Sequence, residues 1–216
     1  MCSHYEAPSR QAMLEAYGLA TDETWSTDLW PGYIGPFVRP ARETDPHDEA
    51  APTLEVLTGS FGLLPSWAKD EKLARRTYNA RSETVASKPS FRAAWRQARH
   101  CIIPAAAIYE PDWRSGRAVP TRIGRKDGQP LSIAGLWERW RSPAGEEVHS
   151  YTMLTINADD HPLMSNFHRP GAEKRMVVLL PQARINDWLT ASADESAEFM
   201  RPYPADRLVA EHRPSR

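Results

Sequence analysis

The sequence predicts an α+β fold that is strongly β: a mixed sheet or partly closed barrel with short flanking helices. Short runs of alternating or wholly apolar residues recur along the chain, separated by turns containing Gly, Pro and Asp. Helical patterns are few, brief and scattered between these runs. No regular βαβ alternation is present, which argues against a doubly wound parallel sheet. The 216 residues are 41% hydrophobic, enough for one substantial core. A single domain over residues 1–216 is therefore expected, with a tail from about residue 201 ordered only in part.

Taken in order, Ser9 is placed to cap a short helix through Tyr17, with Met13, Leu14 and Tyr17 on one face and Gly18 ending it. From Thr21 to Pro52 the chain is rich in Pro, Gly and charge around WPGYIGPFVRP, so irregular structure with one or two extended pieces is expected. A surface wedge or lid fits here best. Thr53 to Phe61 alternates as a strand, and GLLPSW then turns into the polar segment AKDEKLARRTYNARSET. Ser90 to Arg99 has the period of an amphipathic helix with Phe91, Ala94, Trp95 and Ala98 inward, and the run from Cys101 to Tyr109 reads as one buried strand. Strands follow at Val119 to Gly124, Leu131 to Trp140 and Val148 to Asn157, joined by KDGQP and then RSPAGEE as antiparallel hairpins. Met176 to Leu180 is a further strand, and Pro181 opens a helix through Leu189.

The formal net charge is −1, so any nucleic-acid surface must be a local cluster rather than a global excess of cations. No apolar run approaches the roughly 20 residues that span a bilayer, and MCSHYEAPSR lacks the basic and apolar regions of a secretory signal. A cytoplasmic protein with no membrane partner is expected. Its two cysteines, Cys2 and Cys101, would then be reduced and available for chemistry.

Cys2 is the most informative position. Removal of Met1 would leave one residue bearing both a free α-amine and a thiol, a pair that condenses with an aldehyde to an imine and then closes a thiazolidine ring. Taken alone, Cys2 reads far more readily as an incidental residue on a frayed terminus, so other motifs must overturn that reading. In YNARSET, an extended backbone puts Asn79, Arg81 and Glu83 on one side, offering an amide to orient a substrate and a guanidinium fork for phosphate. Lys72, Arg75 and Arg76 just upstream make a basic cluster, with Trp67 nearby as a stacking surface. A solvated loop with ordinary ion pairs is the plain alternative.

Glu110 stands where the apolar run CIIPAAAIY emerges, a place where desolvation raises a carboxyl pKa and suits it to acid/base work; a satisfied structural Glu fits as well. His168 lies in the polar loop NFHRPGAEKR, where an imidazole can move protons and the cations that follow, Arg175 among them, can reach phosphate. His161 carries little beyond a structural reading. The Cys and His spacings match no standard zinc pattern, and no GxSxG, GxxxxGK[ST] or GxGxxG occurs. No metal and no cofactor are expected.

In order, MC, GLLPSW, NARSET, IYEP, the DGQP turn and a His-containing loop before RMVVLL together resemble one family, the SOS-response-associated peptidases or abasic-site-processing proteins, from Cys2 to about Trp188. The resemblance implies a compact β-rich fold with a positively charged groove for single-stranded DNA beside a processed N-terminal cysteine. Cys2 would be the nucleophile forming a thiazolidine with the ring-opened deoxyribose. Asn79 would lie beside the reacting centre, Arg81 on the flanking phosphate, and Glu110 and His168 would be the catalytic carboxylate and histidine. Those two are also tied to peptidase-type removal of Met1 and to lyase-type Schiff-base steps. Trp67 and Pro36 would be the apolar groups that stack on bases and wedge the strand. Many relatives begin Cys-Gly-Arg, so His4 replaces an arginine that contacts DNA, and the loop after His168 is longer than the simplest pattern. The implied partner is single-stranded DNA containing abasic sites, met by a monomer that associates with a bacterial nucleoid.

Two other readings start from the same residues. A cysteine peptidase would pair Cys2 or Cys101 with His168 against protein substrates. A non-covalent single-stranded DNA binder would rely on the tryptophans and the cluster of Arg75, Arg76 and Arg81.

Overall fold

The structure, a computed structural model, describes residues 2–41 and 53–212. Part of the irregular stretch expected up to Pro52 therefore lies outside the described residues. Two sheets organise the rest. The first is a closed barrel of five strands, β3 (Ile34–Pro40), β4 (Leu54–Phe61), β6 (His100–Ala105), β9 (Leu131–Arg141) and β10 (Glu147–Asn157). Its ring runs β3–β4 antiparallel, β4–β10 parallel, then β10–β9, β9–β6 and β6–β3 antiparallel. Closure leaves no barrel edge unpaired. Past its crossing with β9, β10 also carries β5 (Asn79–Arg81) parallel and β11 (Arg175–Val177) antiparallel. Phe37, Phe61, Tyr151, Ile102 and Ile133 are fully buried in the main core, which spans both sheets.

The second sheet has the order β12–β8–β7–β1–β2, built from β1 (Tyr5–Glu6), β2 (Asp28–Leu29), β7 (Ala107–Asp112), β8 (Val119–Arg125) and β12 (Leu208–His212). The expected α+β class, strongly β with a barrel, is the observed one. Helix α1 (Arg10–Tyr17) has the expected ends: the Ser9 side chain accepts from the Ala12 N–H, and Gly18 adopts φ 70°.

Several elements differ from expectation, each for a physical reason. Within WPGYIGPFVRP, Ile34–Pro40 form a seven-residue strand, one of the extended pieces expected there and longer than its prolines suggest; they are tolerated because β3 meets β6 at a single register pair, Val38 with Ile102. The run Cys101 to Tyr109 is two strands in different sheets. The break is at Ala106, whose N–H donates to the Glu6 carbonyl at 2.7 Å where the chain passes from barrel to second sheet. Both halves are buried, so hydropathy does not mark the crossing. KDGQP likewise connects the sheets instead of closing a hairpin, because β8 pairs with β7 and β12 while β9 pairs with β6 and β10. The expected helix from Ser90 shrinks to α2 (Arg92–Arg96), ended at Ala98 with φ 47°. The tail past residue 201 contains β12, which covers β8 over five register pairs and buries Leu208.

Candidate functional site

The site forms where the two sheets meet. Strand β1 pairs with β7 through Tyr5 and Ile108, which brings the N-terminal segment alongside the strand carrying Glu110. From the other side, the Asn79 side chain on β5 donates to the Cys2 carbonyl at 3.0 Å and to the Tyr78 carbonyl at 2.7 Å. Asn79 Oδ1 is buried with no hydrogen-bond partner among the described residues, an acceptor left open beside Cys2. The Cys2 thiol is buried and donates to the His4 carbonyl at 3.4 Å. Burial, reinforced by the neighbouring Glu110 charge, holds that thiol well above its ordinary pKa, so it rests protonated.

Glu110 and His168 complete the cluster. The loop before β11 is tied to β7 by a bridge between Phe167 and Asp112 and by the His168 N–H donating to the Pro111 carbonyl. His168 adopts φ 64°, a conformation uncommon for a residue with a side chain, and one that its surroundings must impose. Its Nδ1 lies 3.4 Å from Glu110 Oε2, and its Nε2 lies 3.1 Å from the Arg175 carbonyl. A carbonyl only accepts, so Nε2 holds the ring proton and Nδ1 turns its lone pair to Glu110. Burial pushes the Glu110 carboxyl up to about 7 and the His168 imidazole down to about 4. Near neutral pH the two therefore form no ion pair; a protonated Glu110 faces the Nδ1 lone pair and a deprotonated one faces an uncharged ring. The pair is poised to pass one proton.

His161 is bound elsewhere. Its Nδ1 accepts from the Leu163 and Met164 N–H groups and its Nε2 reaches the Tyr203 carbonyl at 2.7 Å, a structural role. Cys101 is buried in β6 within the barrel core. Among the described residues, no group of three or more His, Cys, Asp or Glu side chains is arranged to hold a metal ion. No helix among them is long and apolar enough to cross a membrane.

A family model described as SOS response associated peptidase (SRAP) matches residues 1–213. The chain belongs to the SRAP family. Among SRAP relatives, the abasic site processing protein YoqW of Bacillus subtilis (strain 168) is 34% identical over 189 residues, covering 79% of this chain and 80% of that protein. The abasic site processing protein HMCES of Gallus gallus is 26% identical over 172 residues, covering 69% of this chain and 49% of that longer protein. A solved structure from Bordetella bronchiseptica shares 50% identity with a TM-score of 0.89, covering 99% of this chain and all of that one.

Within this SRAP fold, the residues expected to meet DNA scatter. Arg81 is half exposed and paired with Glu173 at 2.9 Å, so a phosphate arriving there must displace a carboxylate. Arg175 is buried; its two terminal nitrogens are taken by Glu83, Glu173 and the Thr155 carbonyl, which makes it a brace for β5 and β11 rather than a phosphate contact. Trp67 is 54% exposed and shares an open pocket of about 330 Å³ with Lys69, Lys72 and Arg76. Arg75, also exposed, is not among that pocket's lining residues; its stem lies beside Gly32. Pro36 is buried within β3 opposite Thr58, so it presents no wedge; the exposed apolar groups of that segment are Trp30, Tyr33 and Ile34. His4 is enclosed, not free to reach a strand: its ring stacks on Trp30 at 4.1 Å and on Tyr109 at 4.2 Å, and Nε2 meets Asp28 at 2.8 Å. Sequence reasoning missed Trp30, Tyr109 and Glu173. The tryptophan in WPGY, beside a Pro-Gly turn, is a sequence signal for Trp30 alone; Tyr109 and Glu173 carry none.

Proposed function

We propose that this chain processes abasic sites in single-stranded DNA by covalent capture at Cys2, after Met1 has been removed. The observation that carries the reading is the convergence of Cys2, Asn79, Glu110 and His168 at the junction of the two sheets. The names of the relatives YoqW and HMCES point to the same lesion.

Hydrolysis of the Met1–Cys2 amide consumes one water and releases methionine, leaving the Cys2 α-amine. The open Oδ1 of Asn79 is the natural acceptor for an N–H of that amine. Attack of the amine on the aldehyde of the ring-opened sugar gives a carbinolamine, which loses water to form an imine. Addition of the Cys2 sulfur to the carbon of the protonated imine closes the thiazolidine, whose ring nitrogen keeps the proton it carried in the carbinolamine. Glu110, held near 7, gives a proton to the departing hydroxyl and takes one from the thiol, with the His168 Nδ1 lone pair as its partner in the exchange. Arg81 holds the flanking phosphate once it leaves Glu173. Single-stranded DNA supplies the lesion without the cost of unpairing a duplex.

Intact mass spectrometry of the purified protein, with and without an abasic single-stranded oligonucleotide, tests Met1 loss and adduct formation together. The expected product is the Met1-less protein plus oligonucleotide minus one water, stable to heat and denaturant and absent for Cys2→Ala. Equal adduct yield from Cys2→Ala would falsify the mechanism.

A further inference from the structure

Three rings line up across three strands beside Cys2. The register pairs Tyr5 with Leu29 on β2 and with Ile108 on β7, so the preceding residue, His4, falls between Trp30 and Tyr109. The His4 ring is within 12° of parallel to both, at 4.1 and 4.2 Å. Two rings cannot occupy one imidazole face at that distance, so Trp30 and Tyr109 cover opposite faces. Tyr109 is buried at the back of the stack, while Trp30 is 44% exposed at the front. With one indole face on His4, that exposure belongs to the other face and the ring edge.

The stack is mechanically tied to the nucleophile. The His4 carbonyl accepts from the Cys2 thiol and, at 3.0 Å, from the Tyr109 N–H, while Asp28 holds the His4 ring from the side. The surroundings of Trp30 combine apolar and cationic groups: Tyr33 and Ile34 are exposed, and the stem of Arg75 runs near the Gly32 turn, its Cγ 3.9 Å from where a Cβ on Gly32 would sit. Aromatic plates flanked by arginine are what unpaired nucleobases and their phosphates bind, whatever the base.

We infer that the outer face of Trp30 is the platform on which an unpaired nucleobase next to the abasic position stacks, with the adjoining phosphate on Arg75. Its position is fixed from behind by His4 and Tyr109, so base and nucleophile are held in one frame. The inference rests on the single-stranded DNA reading given above.

The test uses the full-length protein and a single-stranded oligonucleotide carrying a tetrahydrofuran spacer, which has no aldehyde and binds without reacting. Affinity is read by fluorescence anisotropy. Trp30→Ala is expected to weaken binding about ten-fold, with Trp30→Phe recovering most of the loss and Trp30→Leu little of it. Replacing the bases that flank the spacer with further spacers is expected to weaken the wild type and leave Trp30→Ala unaffected. A Trp30→Ala protein that responds to base removal as the wild type does would overturn the platform, as would Leu restoring binding as well as Phe. Should the variant unfold, the Phe and Leu proteins alone still decide. A wild type that binds the spacer strand through Trp30 but forms no adduct with a true abasic site would overturn covalent capture and leave the platform standing.

Discussion

Glu110 and His168 show how far two residues can be driven apart by the same burial. Desolvation disfavours the charged form of each, raising the acid and lowering the base until, near neutrality, His168 is uncharged and Glu110 is divided between its two forms. For Glu110 the folded state binds its proton more tightly than the unfolded chain, so stability falls as pH rises from about 4.5 to about 7 and stays reduced above that. Glu110→Gln removes the titration. Relative to the wild type, its stability should be higher at pH 8 than at pH 4.5 by up to about 3 kcal/mol, measured by urea unfolding at the two pH values. The same variant should form the DNA adduct at least about 100-fold more slowly, since an amide cannot exchange the proton. The residue types and their order along the chain were legible, because Cys2, Asn79, Glu110 and His168 occupy recognisable motifs. Their neighbours were not. Nothing in RPGAEKR separates Arg175, which three groups bury, from Lys174, whose ammonium reaches the His168 carbonyl at 3.0 Å. Charge alone does not say which cation a fold will enclose.

Elements were read best where one physical signal decides them. The Ser9 cap and Gly18 stop fixed α1, and RSPAGEE closed the β9–β10 hairpin as expected. They were read worst where a uniform apolar run crosses from one sheet to the other, as at Ala106, or where proline obscured a strand that is fully paired on one side and nearly unpaired on the other, as in β3. Gly62 shows the same limit at a turn. It follows β4 with φ 133°, and a Cβ there would strike the backbone of Ala74 in the 3-10 turn Glu71–Arg76. That contact sets how the GLLPSW turn lies against the segment carrying Arg75 and Arg76. Gly62→Ala should therefore lower the unfolding free energy by at least about 2 kcal/mol, seen as a lower urea midpoint.

At the scale of the molecule, the site has no element of its own. Cys2 enters beside the second sheet, Asn79 comes from a strand added to the barrel, and the His168 loop is pinned to β7. Each contact joins residues far apart in sequence, so the pocket exists only when both sheets are in place. Adduct formation and tryptophan fluorescence should accordingly be lost at the same urea midpoint. A midpoint for adduct formation well below that of fluorescence would mean a site that opens before the barrel does. The closed ring β3–β4–β10–β9–β6 was foreseeable only as a class, since sequence periodicity reports which residues face inward and not which strand each one meets.

The depth of Cys2 also bears on what the protein ignores. A thiol buried to 1% exposure and kept protonated is a poor target for peroxide and for small diffusing electrophiles, which seek an accessible thiolate. Most reactive cysteines trade selectivity for speed by lowering their pKa. If capture proceeds as proposed, this thiol stays quiet until a strand delivers its own aldehyde into the junction, and discrimination between a DNA lesion and other carbonyl compounds then comes from access rather than from intrinsic reactivity.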